Sequence, residues 1–326
     1  MDNPYVFITR KLPAQIVKKL ETNFRVKMWE SEDEPIPREV LMQEAKEAAG
    51  LLTMLSEKID AAVMDEAKNL RVIANLAVGF DNIDIDAATN RDIFVCNTPD
   101  VLTETTADLT FALMMAAARR IVEAADIVKN GEWKSWSPLL LAGHDIHHKK
   151  IGIVGMGKIG TSVAKRAKGF DMEILYHNRS RNPMAEELYG ARYCSFEELI
   201  STSDFIVCLA PLTPETTKMF NKQSFMKMKT TAVFVNASRG PVVDEAALHN
   251  ALISGEIAAA GLDVFEQEPI DAGHPLLSLK NVVALPHIAS SSIDTRTAMM
   301  NLCIENIELV LHNNAPKTLV NKQLAK

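Results

Sequence analysis

The sequence predicts an α/β protein with two parallel-sheet domains. Short runs of β-branched and other apolar residues alternate with stretches of helical spacing from end to end, which is the pattern of parallel strands joined by helical crossovers. The length of 326 residues favours two domains, at roughly 150 residues per domain. A glycine-rich turn typical of nucleotide-binding sheets lies in the middle of the chain, so we assign it to a second block.

In the first block, short β-branched runs predict five strands. They lie near Tyr5–Thr9, Phe24–Met28, Gly50–Thr53, Val72–Ala74 and Ile93–Val95. Apolar residues recur with helical spacing between these runs. The helices predicted there are Pro13–Glu21, Arg38–Glu47, Ala61–Asn69 and Asp84–Asn90. This block has no glycine-rich phosphate loop.

A long stretch rich in alanine and methionine, Thr103–Val128, is predicted as one helix with Thr103 as its N-cap. Its apolar residues run almost all round the helix, which predicts burial between units or subunits. The next segment, Asn130–Lys149, has two tryptophans, a proline and three histidines but little periodicity. We predict a loop or arm there.

The second block begins at Lys150 and again alternates. Strands are predicted at Ile151–Val154, Glu173–Tyr176, Phe205–Cys208, Ala232–Asn236, Ala259–Leu262 and Val282–Ala284. Helical spacing over Ser291–His312 predicts a long terminal helix. The remainder, Asn313–Lys326, is polar with three lysines and is predicted to be a solvated tail.

The central position of the phosphate loop predicts a discontinuous first domain. The two long helices flank the second block and form natural connections between domains. We therefore assign residues 1–100 and 288–326 to a substrate domain, and residues 101–287 to a nucleotide-binding domain.

Composition excludes several classes of function. A net charge of −7 and a pI of about 5.7 disfavour a general nucleic-acid binder, because such a protein would present a basic face. The same charge disfavours a protein that binds anionic membranes. No apolar run of roughly 18 residues lacks a charge, so we expect no transmembrane helix. The N-terminus does not resemble a secretory signal, and four scattered cysteines suggest neither zinc ligands nor disulfides. A cytoplasmic location is the simplest expectation.

The strongest local motif is the glycine pattern after the first strand of the second block. Gly155, Gly157 and Gly160 form G-x-G-x-x-G between a β-branched strand and the helical pattern of Lys158–Phe170, which is the context that a dinucleotide fingerprint requires. The first glycine permits the tight turn, the second lets the backbone approach a pyrophosphate, and the third lets helix and strand pack closely. The free N–H groups of the helix start favour phosphate.

The end of the next strand predicts a preference for NADP(H). An NAD site places an acidic residue on the ribose hydroxyls about 20 residues after the glycines. Here that place holds Asn178, followed by Arg179, Ser180 and Arg181. The arginines can pair with a 2′-phosphate that an acidic side chain would repel. The alternative, two ordinary surface cations with some use of NAD(H), stays open.

Three further polar residues follow predicted strands. Arg239 lies in NASRG, Glu268 in GLDVFEQEP and His287 in LPHIASSS. Each alone is uninformative. Because ligands of open parallel sheets bind at the carboxyl ends of the strands, we expect these three side chains to converge on one site beside the nucleotide.

Five segments together resemble those of the D-isomer-specific 2-hydroxyacid dehydrogenases. They are LAVGFDNID from Leu76 to Asp84, GMGKIG, NASRG, GLDVFEQEP and LPHIASSS, which occur in the family's order and spacing over nearly the whole chain. Within the family the chain is most similar to glyoxylate/hydroxypyruvate reductases, partly through LLTMLS (Leu51–Ser56), and bacterial 2-ketogluconate reductases are similar too. Asn178 departs from the aspartate of NAD-dependent members, and Ala289 stands where glycine is common.

The resemblance implies a flavodoxin-like substrate domain, an inserted Rossmann domain and a cleft between them. Both domains would have doubly wound parallel sheets. It also implies a homodimer built around residues 103–149. The implied activity is an NADPH-preferring reduction of a small 2-oxo acid, glyoxylate or hydroxypyruvate, to the 2-hydroxy acid, with D-stereochemistry where the product is chiral.

Within this resemblance, Arg239 binds the substrate carboxylate and polarises the carbonyl. The backbone N–H groups of Val78 and Gly79 hold the carboxylate from the other side, and Leu55 lines the substrate pocket. His287 donates the proton, and Glu268 accepts a hydrogen bond from its other ring nitrogen.

The cofactor contacts implied by the resemblance extend beyond the glycines and the Asn178–Arg181 segment. They are Thr106, Lys158, Ile159, Ala237, Ser238, Arg239, Asp263, His287 and Ala289. For Asp263, contact with the nicotinamide carboxamide and a purely structural capping role are equal alternatives.

Several alternatives remain open at this stage. A longer sugar acid such as 2-ketogluconate is the rival substrate. The rival from another class is a dinucleotide-sensing protein like the corepressors that resemble this family. His144, His147 and His148 have spacing that suits a metal on a helix, but Pro138 and Gly143 disfavour a regular helix there, so we predict no metal site. Trp133 and Trp136 are assigned to dimer packing rather than to a substrate gate.

Overall fold

A computed structural model describes residues 3–325. The chain divides into two compact units. The first comprises Met1–Leu102 and Ser292–Lys326, and the second comprises Thr103–Ser291. The first unit is therefore built from two separate segments of the chain, and the second is one continuous segment inserted between them. Each unit contains one sheet, and every strand pair in both sheets is parallel.

The sheet of the first unit has the doubly wound order β2-β1-β3-β4-β5, which is the flavodoxin-like arrangement. Its strands are β1 (Tyr5–Ile8), β2 (Arg25–Met28), β3 (Gly50–Thr53), β4 (Val72–Asn75) and β5 (Phe94–Cys96). The three central strands are buried along their whole length, because helices cover both faces of the sheet. The edge strand β2 alternates between exposed and half-buried residues.

Three of the five helices described in the first unit have an acidic or hydroxyl side chain as N-cap, and the other two follow a proline. They are α1 (Ala14–Glu21), α2 (Arg38–Ala45), α3 (Ala61–Glu66), α4 (Ile85–Thr89) and, near the end of the chain, α12 (Ile293–Leu311). Asp60 caps α3, Asp84 caps α4 and Ser292 caps α12, in each case by accepting a backbone N–H of the first turn.

Part of the C-terminal segment is packed. The prediction of a solvated tail over Asn313–Lys326 holds for the exposed residues 313–315 but was wrong for residues 318–321. The backbone N–H of Val320 donates to the carbonyl of Val95. The amide of buried Asn321 accepts from Val95 N at 2.9 Å and donates to Ile93 O at 2.8 Å. Because β5 is an edge strand, its backbone groups need partners that no neighbouring strand provides, and the tail supplies them.

The sheet of the second unit has the order β12-β11-β10-β9-β6-β7-β8, the Rossmann order extended by one strand. Its strands are β6 (Lys150–Val154), β7 (Glu173–His177), β8 (Arg192–Tyr193), β9 (Phe205–Cys208), β10 (Val233–Asn236), β11 (Ala259–Leu262) and β12 (Val282–Ala284). The short edge strand β8 was not predicted, because two residues give no periodic pattern. The predicted fold class, with a flavodoxin-like and a Rossmann domain, is confirmed.

Helices cover both faces of this second sheet. They are α5 (Thr103–Ala118), α6 (Ile121–Lys129), α7 (Lys158–Lys168), α8 (Pro183–Tyr189), α9 (Phe196–Thr202), α10 (Lys222–Lys227) and α11 (Glu245–Ser254). No helix or strand occurs between Asn130 and Lys149, so the predicted loop or arm is confirmed. No helix in residues 3–325 is both long enough and apolar enough to cross a membrane.

The single helix predicted over Thr103–Val128 was wrong, because the chain forms α5 and α6 with a break between them. Arg120 adopts a left-handed conformation at φ 53°. The carbonyl of Ala118 accepts the N–H of His144 at 2.9 Å, so it is not available to continue the helix. The partner lies 26 residues further along the chain (144 − 118), which local periodicity does not reveal. Thr103 is the first residue of α5 rather than a cap preceding it.

Candidate active site

The glycine loop between β6 and α7 has the geometry of a dinucleotide fingerprint. Gly155 adopts φ +102°, and a Cβ there would lie 2.6 Å from Ala210 N. A Cβ at Gly160 would lie 2.3 Å from the carbonyl oxygen of Gly155, whereas a Cβ at Gly157 would meet nothing within 4 Å. The first and third glycines are therefore required by the protein's own backbone, and the second leaves open space above the loop.

The start of α7 offers its N–H groups to that open space. Gly157 is the N-cap residue and provides no side-chain capping bond. Lys158 and Ile159 are the first two residues of the helix, and the helix dipole favours an anion at this end. These observations fit the pyrophosphate of a nicotinamide dinucleotide, which the helix start and the loop backbone would hold.

The two arginines in the segment after β7 differ in their contacts. Asn178 is held locally, with its amide donating to the carbonyl of Ser180 at 3.2 Å. Arg181 forms a bidentate pair with Glu186, from Nε at 3.0 Å and from Nη2 at 2.6 Å. Arg179 is exposed and makes no hydrogen bond or ion pair with a described residue; its charge contributes to lowering the pKa of Glu215, after two hydrogen bonds. Of the two arginines predicted to pair with a 2′-phosphate, Arg179 is therefore the one whose guanidinium is not held by a described side chain.

A chain of hydrogen bonds links Arg181 to the glycine loop. The hydroxyl of buried Tyr176 donates to Glu186 at 2.6 Å and accepts the N–H of Asn182 at 2.7 Å. The Asn182 amide donates to the carbonyl of Met156 at 3.0 Å. Sequence reasoning missed these contacts because Tyr176, Asn182 and Glu186 belong to no motif.

The loop after β10 carries Arg239 and is braced by a strand-end asparagine. The Asn236 amide donates to the carbonyl of Arg239 at 3.0 Å and accepts the N–H of Ser238 at 3.1 Å. The Arg239 guanidinium is half-buried and donates to the carbonyl of Ser238 at 2.8 Å. Ala237 lies in the same turn, directly after the strand.

The loop after β12 carries His287 in a constrained backbone conformation. His287 has φ 52°, which is uncommon for a residue with a Cβ. Its N–H donates to the carbonyl of Asp263 at 2.9 Å, and both carboxylate oxygens of Asp263 accept backbone N–H groups, from Ile288 and Ala289, each at 2.8 Å. Burial raises the pKa of the Asp263 carboxyl, and these N–H groups oppose the rise. These contacts are the ones expected if Asp263 has a purely structural capping role.

Glu268 and His287 form a direct pair. His287 Nδ1 and Glu268 Oε2 are 2.7 Å apart, and Glu268 Oε1 accepts the N–H of Phe265 at 3.0 Å. Burial acts to raise the pKa of Glu268, but the hydrogen bond and charge of His287, with a smaller contribution from Arg239, lower it overall. An ionised Glu268 requires a proton on Nδ1. The Nε2 atom has no partner among residues 3–325.

The structure therefore brings Arg239, Glu268 and His287 together at the carboxyl edge of the second sheet. Asp263 lies in the same cluster through its contacts with the His287 loop. Thr106 is buried on α5, where its carbonyl accepts the hydroxyl of Thr110 at 2.7 Å, and no described contact joins its side chain to the cluster.

In the first unit, the loop after β4 presents two adjacent N–H groups. The carbonyl of Val78 accepts from Asn97 at 2.8 Å, and that of Gly79 accepts from Asn75 at 2.9 Å. In the part of the chain that the structure describes, neither the Val78 N–H nor the Gly79 N–H has an acceptor. These two donors fit a carboxylate oxygen.

A network of polar residues fixes the loops at this edge of the first sheet. Glu57 is buried and accepts hydrogen bonds from Thr9 at 2.6 Å and from the N–H of Met54 at 2.7 Å. The Asn82 amide donates to the carbonyls of Met54 and Glu57, each at 3.0 Å. Leu55 lies in the turn that these bonds hold. Sequence reasoning missed the roles of Glu57 and Asn82; the available signal was that both are polar residues in loops that follow buried strands, Asn82 within LAVGFDNID.

No group of three or more His, Cys, Asp or Glu side chains within residues 3–325 is arranged to hold a metal ion. The rings of His147 and His148 pack edge to face with centroids 5.1 Å apart. His148 has φ 60°, so the three histidines of the arm do not share a helix face.

Comparison with known proteins gives consistent matches over the whole chain. Residues 111–289 match the D-isomer specific 2-hydroxyacid dehydrogenase, NAD binding domain family. A glyoxylate reductase from Thermococcus gammatolerans is 49% identical over 327 residues, covering 99% of this chain and 97% of the relative.

Solved structures with the same architecture include two similar proteins. A protein from Thermus thermophilus is 42% identical with a TM-score of 0.91, covering 97% of this chain and 99% of that one. An NADPH-dependent glyoxylate/hydroxypyruvate reductase from Sinorhizobium meliloti, solved with NADP and malonate, is 32% identical with a TM-score of 0.83 and covers 98% of this chain and 97% of its own.

Proposed function

The chain belongs to the family of D-isomer-specific 2-hydroxyacid dehydrogenases, and we propose that it is an NADPH-preferring reductase of small 2-oxo acids, glyoxylate or hydroxypyruvate. As a member of this family it is an oxidoreductase that uses a nicotinamide dinucleotide. The observation that carries the proposal is the Glu268–His287 pair next to Arg239, in the same unit as an intact glycine loop.

Arg239 binds the substrate in this proposal. The guanidinium offers a planar fork of donors to the carboxylate and to the neighbouring carbonyl oxygen of a 2-oxo acid. The family resemblance also assigns the N–H groups of Val78 and Gly79 to carboxylate binding and Leu55 to the substrate. Donors aimed at the carbonyl oxygen stabilise the negative charge that develops on it.

His287 supplies the proton. Glu268 holds Nδ1–H, so Nε2 of the imidazolium carries the proton that passes to the substrate oxygen. The nicotinamide, when bound, supplies a hydride to the carbonyl carbon. After the transfer His287 is neutral, and it takes a new proton from solvent before the next cycle. The product is the D-2-hydroxy acid where the carbon is chiral.

Two features support a preference for NADPH. The acidic residue that would repel a 2′-phosphate is replaced by Asn178. Arg179 is exposed, with its guanidinium uncommitted to any described residue, and a charge-assisted bond to phosphate is stronger than a neutral one. The Sinorhizobium relative, whose structure contains NADP, is NADPH-dependent.

We also propose a homodimer that forms through α6 and the arm that follows it. Trp136 is 77% exposed and Leu139 is 82% exposed, and Ile121, Val128 and Trp133 are exposed as well. A cluster of large exposed apolar side chains of this kind marks an interface. Light scattering is expected to give twice the chain mass, and Trp136→Ser together with Leu139→Ser to lower it. A wild-type protein of single chain mass would contradict the dimer.

The reaction is tested by following the loss of NADPH, and separately of NADH, with glyoxylate, hydroxypyruvate and 2-ketogluconate in parallel. We expect fast NADPH loss with the two small acids and D-glycerate from hydroxypyruvate. Faster turnover of 2-ketogluconate would replace the substrate but keep the mechanism. A preference for NADH would overturn the interpretation of Asn178 and Arg179. No turnover in protein that still binds NADPH would favour a dinucleotide sensor.

A further inference from the structure

A buried carboxylate outside the Arg239–Glu268–His287 cluster ties two loops together. Glu245 is the first residue of α11, and its side chain is 11% exposed. Glu245 Oε1 accepts the N–H of Glu266 at 2.7 Å, and Glu266 Oε1 accepts the N–H of Glu245 at 3.2 Å. These reciprocal bonds fasten the start of α11 to the loop that follows β11.

The second carboxylate oxygen of Glu245 is also occupied. His274 Nε2 lies 3.3 Å from Glu245 Oε2, and His274 Nδ1 accepts the N–H of Leu276 at 3.3 Å. Because Nδ1 is an acceptor, the ring proton of a neutral His274 is on Nε2 and donates to Glu245. The carboxylate is therefore fixed from two directions and has little freedom to turn.

The fastened loop lies between the segments that carry Arg239 and Glu268. A Cβ at Gly240 would lie 1.8 Å from the carbonyl carbon of Phe265, so the backbone after Arg239 is pressed directly against this loop. On the other side, the N–H of Phe265 holds Glu268 Oε1 at 3.0 Å. A shift of the Phe265–Glu266 backbone would therefore disturb both side chains together.

The charges around Glu245 show that this arrangement is not held by ion pairing alone. Burial raises the pKa of the Glu245 carboxyl; the Glu266 N–H and the His274 charge oppose the rise, and the carboxylates of Glu266 and Glu268 add to it. Lys218 is the nearby cation, with Nζ 3.9 Å from Glu266 Oε1 and 4.0 Å from Asp244 Oδ2. A carboxylate in these surroundings is retained for the acceptors it provides, because its charge is costly there.

We propose that Glu245 is a positioning residue, which through Glu266 holds the loop that presents Glu268 to His287 and supports the backbone next to Arg239. Glu245 does not touch substrate or cofactor in this proposal, which rests on the function proposed above. The glycine loop, which would hold the pyrophosphate, is formed by other elements of the unit.

The proposal predicts a specific kinetic pattern for Glu245→Ala. We expect kcat to fall about 30-fold while KM for glyoxylate and Kd for NADPH change less than about threefold, since misplacement of catalytic groups costs rate rather than cofactor binding. The loss is expected in kcat rather than in KM, because a displaced Glu268 no longer holds the His287 ring in position. Glu245→Gln keeps an acceptor for the Glu266 N–H and is expected to restore kcat to within about threefold of wild type.

Glu197→Gln, at an exposed carboxylate on α9, is the matched control and is expected to behave like wild type. If Glu245→Ala does not fold, Glu245→Asp, whose side chain is too short to hold both partners, provides the same test with a loss of about tenfold. Wild-type kcat in Glu245→Ala, or in Glu245→Asp where it replaces the alanine variant, would overturn the proposal. A loss of kcat that Glu245→Gln does not restore, together with fewer NADPH sites per chain, would also overturn it, because it indicates a purely structural role.

Wild-type enzyme and His287→Ala measured beside these variants separate the two proposals. Active wild type, an inactive His287 variant and fully active Glu245 variants would reject the positioning role alone. Inactive wild-type enzyme, or a fully active His287 variant, would reject the proposed function itself.

Discussion

In the first unit, the carboxylate of Glu57 is buried and accepts hydrogen bonds from Thr9 and from the N–H of Met54. In the second unit, His287 uses one ring nitrogen for Glu268 and leaves the other without a partner among the described residues. Both groups lie at the carboxyl edge of a parallel sheet. At the first edge, here called closed, the Glu57 carboxylate is held by donors of its own unit, and the Val78 and Gly79 N–H groups are left without a described acceptor. The second, open edge presents a ring nitrogen to which no described residue binds.

This difference separates residues that hold loops from residues that perform chemistry. The first edge buries its polar side chains, which must find partners within the protein. At the second edge, His287 is kept in an uncommon backbone conformation at φ 52°, and such conformations persist only where the surroundings impose them. Here the surroundings are Asp263 and the N–H groups it accepts. Substitution of Glu57 at the first edge should therefore mainly change stability, and substitution of His287 at the second should mainly change rate.

The largest effect is expected at Arg239. Arg239→Lys keeps the charge but removes the planar fork, so kcat/KM for glyoxylate should fall by a factor on the order of 10³. The free energy of unfolding should change little. Arg192→Lys, at an exposed arginine paired with Glu198, is the control. Steady-state kinetics that show less than a tenfold loss for Arg239→Lys would contradict the role given to its guanidinium.

At the closed edge, Glu57→Ala should lower the free energy of unfolding by about 3 kcal/mol, because it leaves several buried donors without an acceptor. Chemical denaturation measures this effect, with Glu21→Ala, at an exposed position on α1, as the control. The Kd for NADPH should stay unchanged, because the glycine loop belongs to the other unit. Equal stability of the two variants would remove the distinction between the edges.

Glu268→Gln tests the electrostatic part of the pair. The lowered pKa of Glu268 keeps it ionised throughout the neutral range, where its charge stabilises the imidazolium that donates the proton. Without that charge, the rate at pH 7 should fall about tenfold. The difference between the variant and wild type should shrink as pH falls and the wild-type Glu268 becomes protonated. An equal difference at neutral and acidic pH would show that Glu268 acts without charge.

The smallest effect is expected at the two arginines after Asn178. Arg179→Ala should lower the ratio of kcat/KM for NADPH to that for NADH about tenfold, by the loss of one charged hydrogen bond. Arg181→Ala should lower it less than about threefold, because Glu186 already holds that guanidinium. Binding of 2′,5′-ADP measures the same contrast without turnover. A larger effect at Arg181 would show that Glu186 prepares this arginine for the phosphate.

The sequence predicted the features whose causes are local. The glycine loop is recognisable because its turn, its open position and its helix packing each constrain one residue in a short segment. Arg239, Glu268 and His287 could be brought to one edge because each directly follows a strand of a parallel sheet. The strands β3, β9, β11 and β12 have the predicted bounds, because each is a short apolar run that is recognisable from local sequence alone.

The features that escaped prediction depend on partners distant in the chain. The break after Ala118 is caused by His144, and the tail is packed because β5 lacks a neighbour. The tie between Glu245 and Glu266 joins residues 21 apart, of which only Glu266 lies in a motif. The pairing of Arg181 with Glu186 is closer in the chain, but Glu186 belongs to no motif. Periodicity and spacing report which face of an element is apolar, but not which distant polar group completes a hydrogen bond.

The role of His287 is tested most directly by the rate of NADPH oxidation with saturating glyoxylate, in wild-type enzyme and in His287→Ala, after NADPH binding has been measured for both. Equal binding and a loss of turnover on the order of 10²–10⁴ are the predicted results, because the variant retains the cofactor loop but has no proton donor. A near-wild-type rate in His287→Ala would contradict the assignment of the open edge as the place where the proton is transferred.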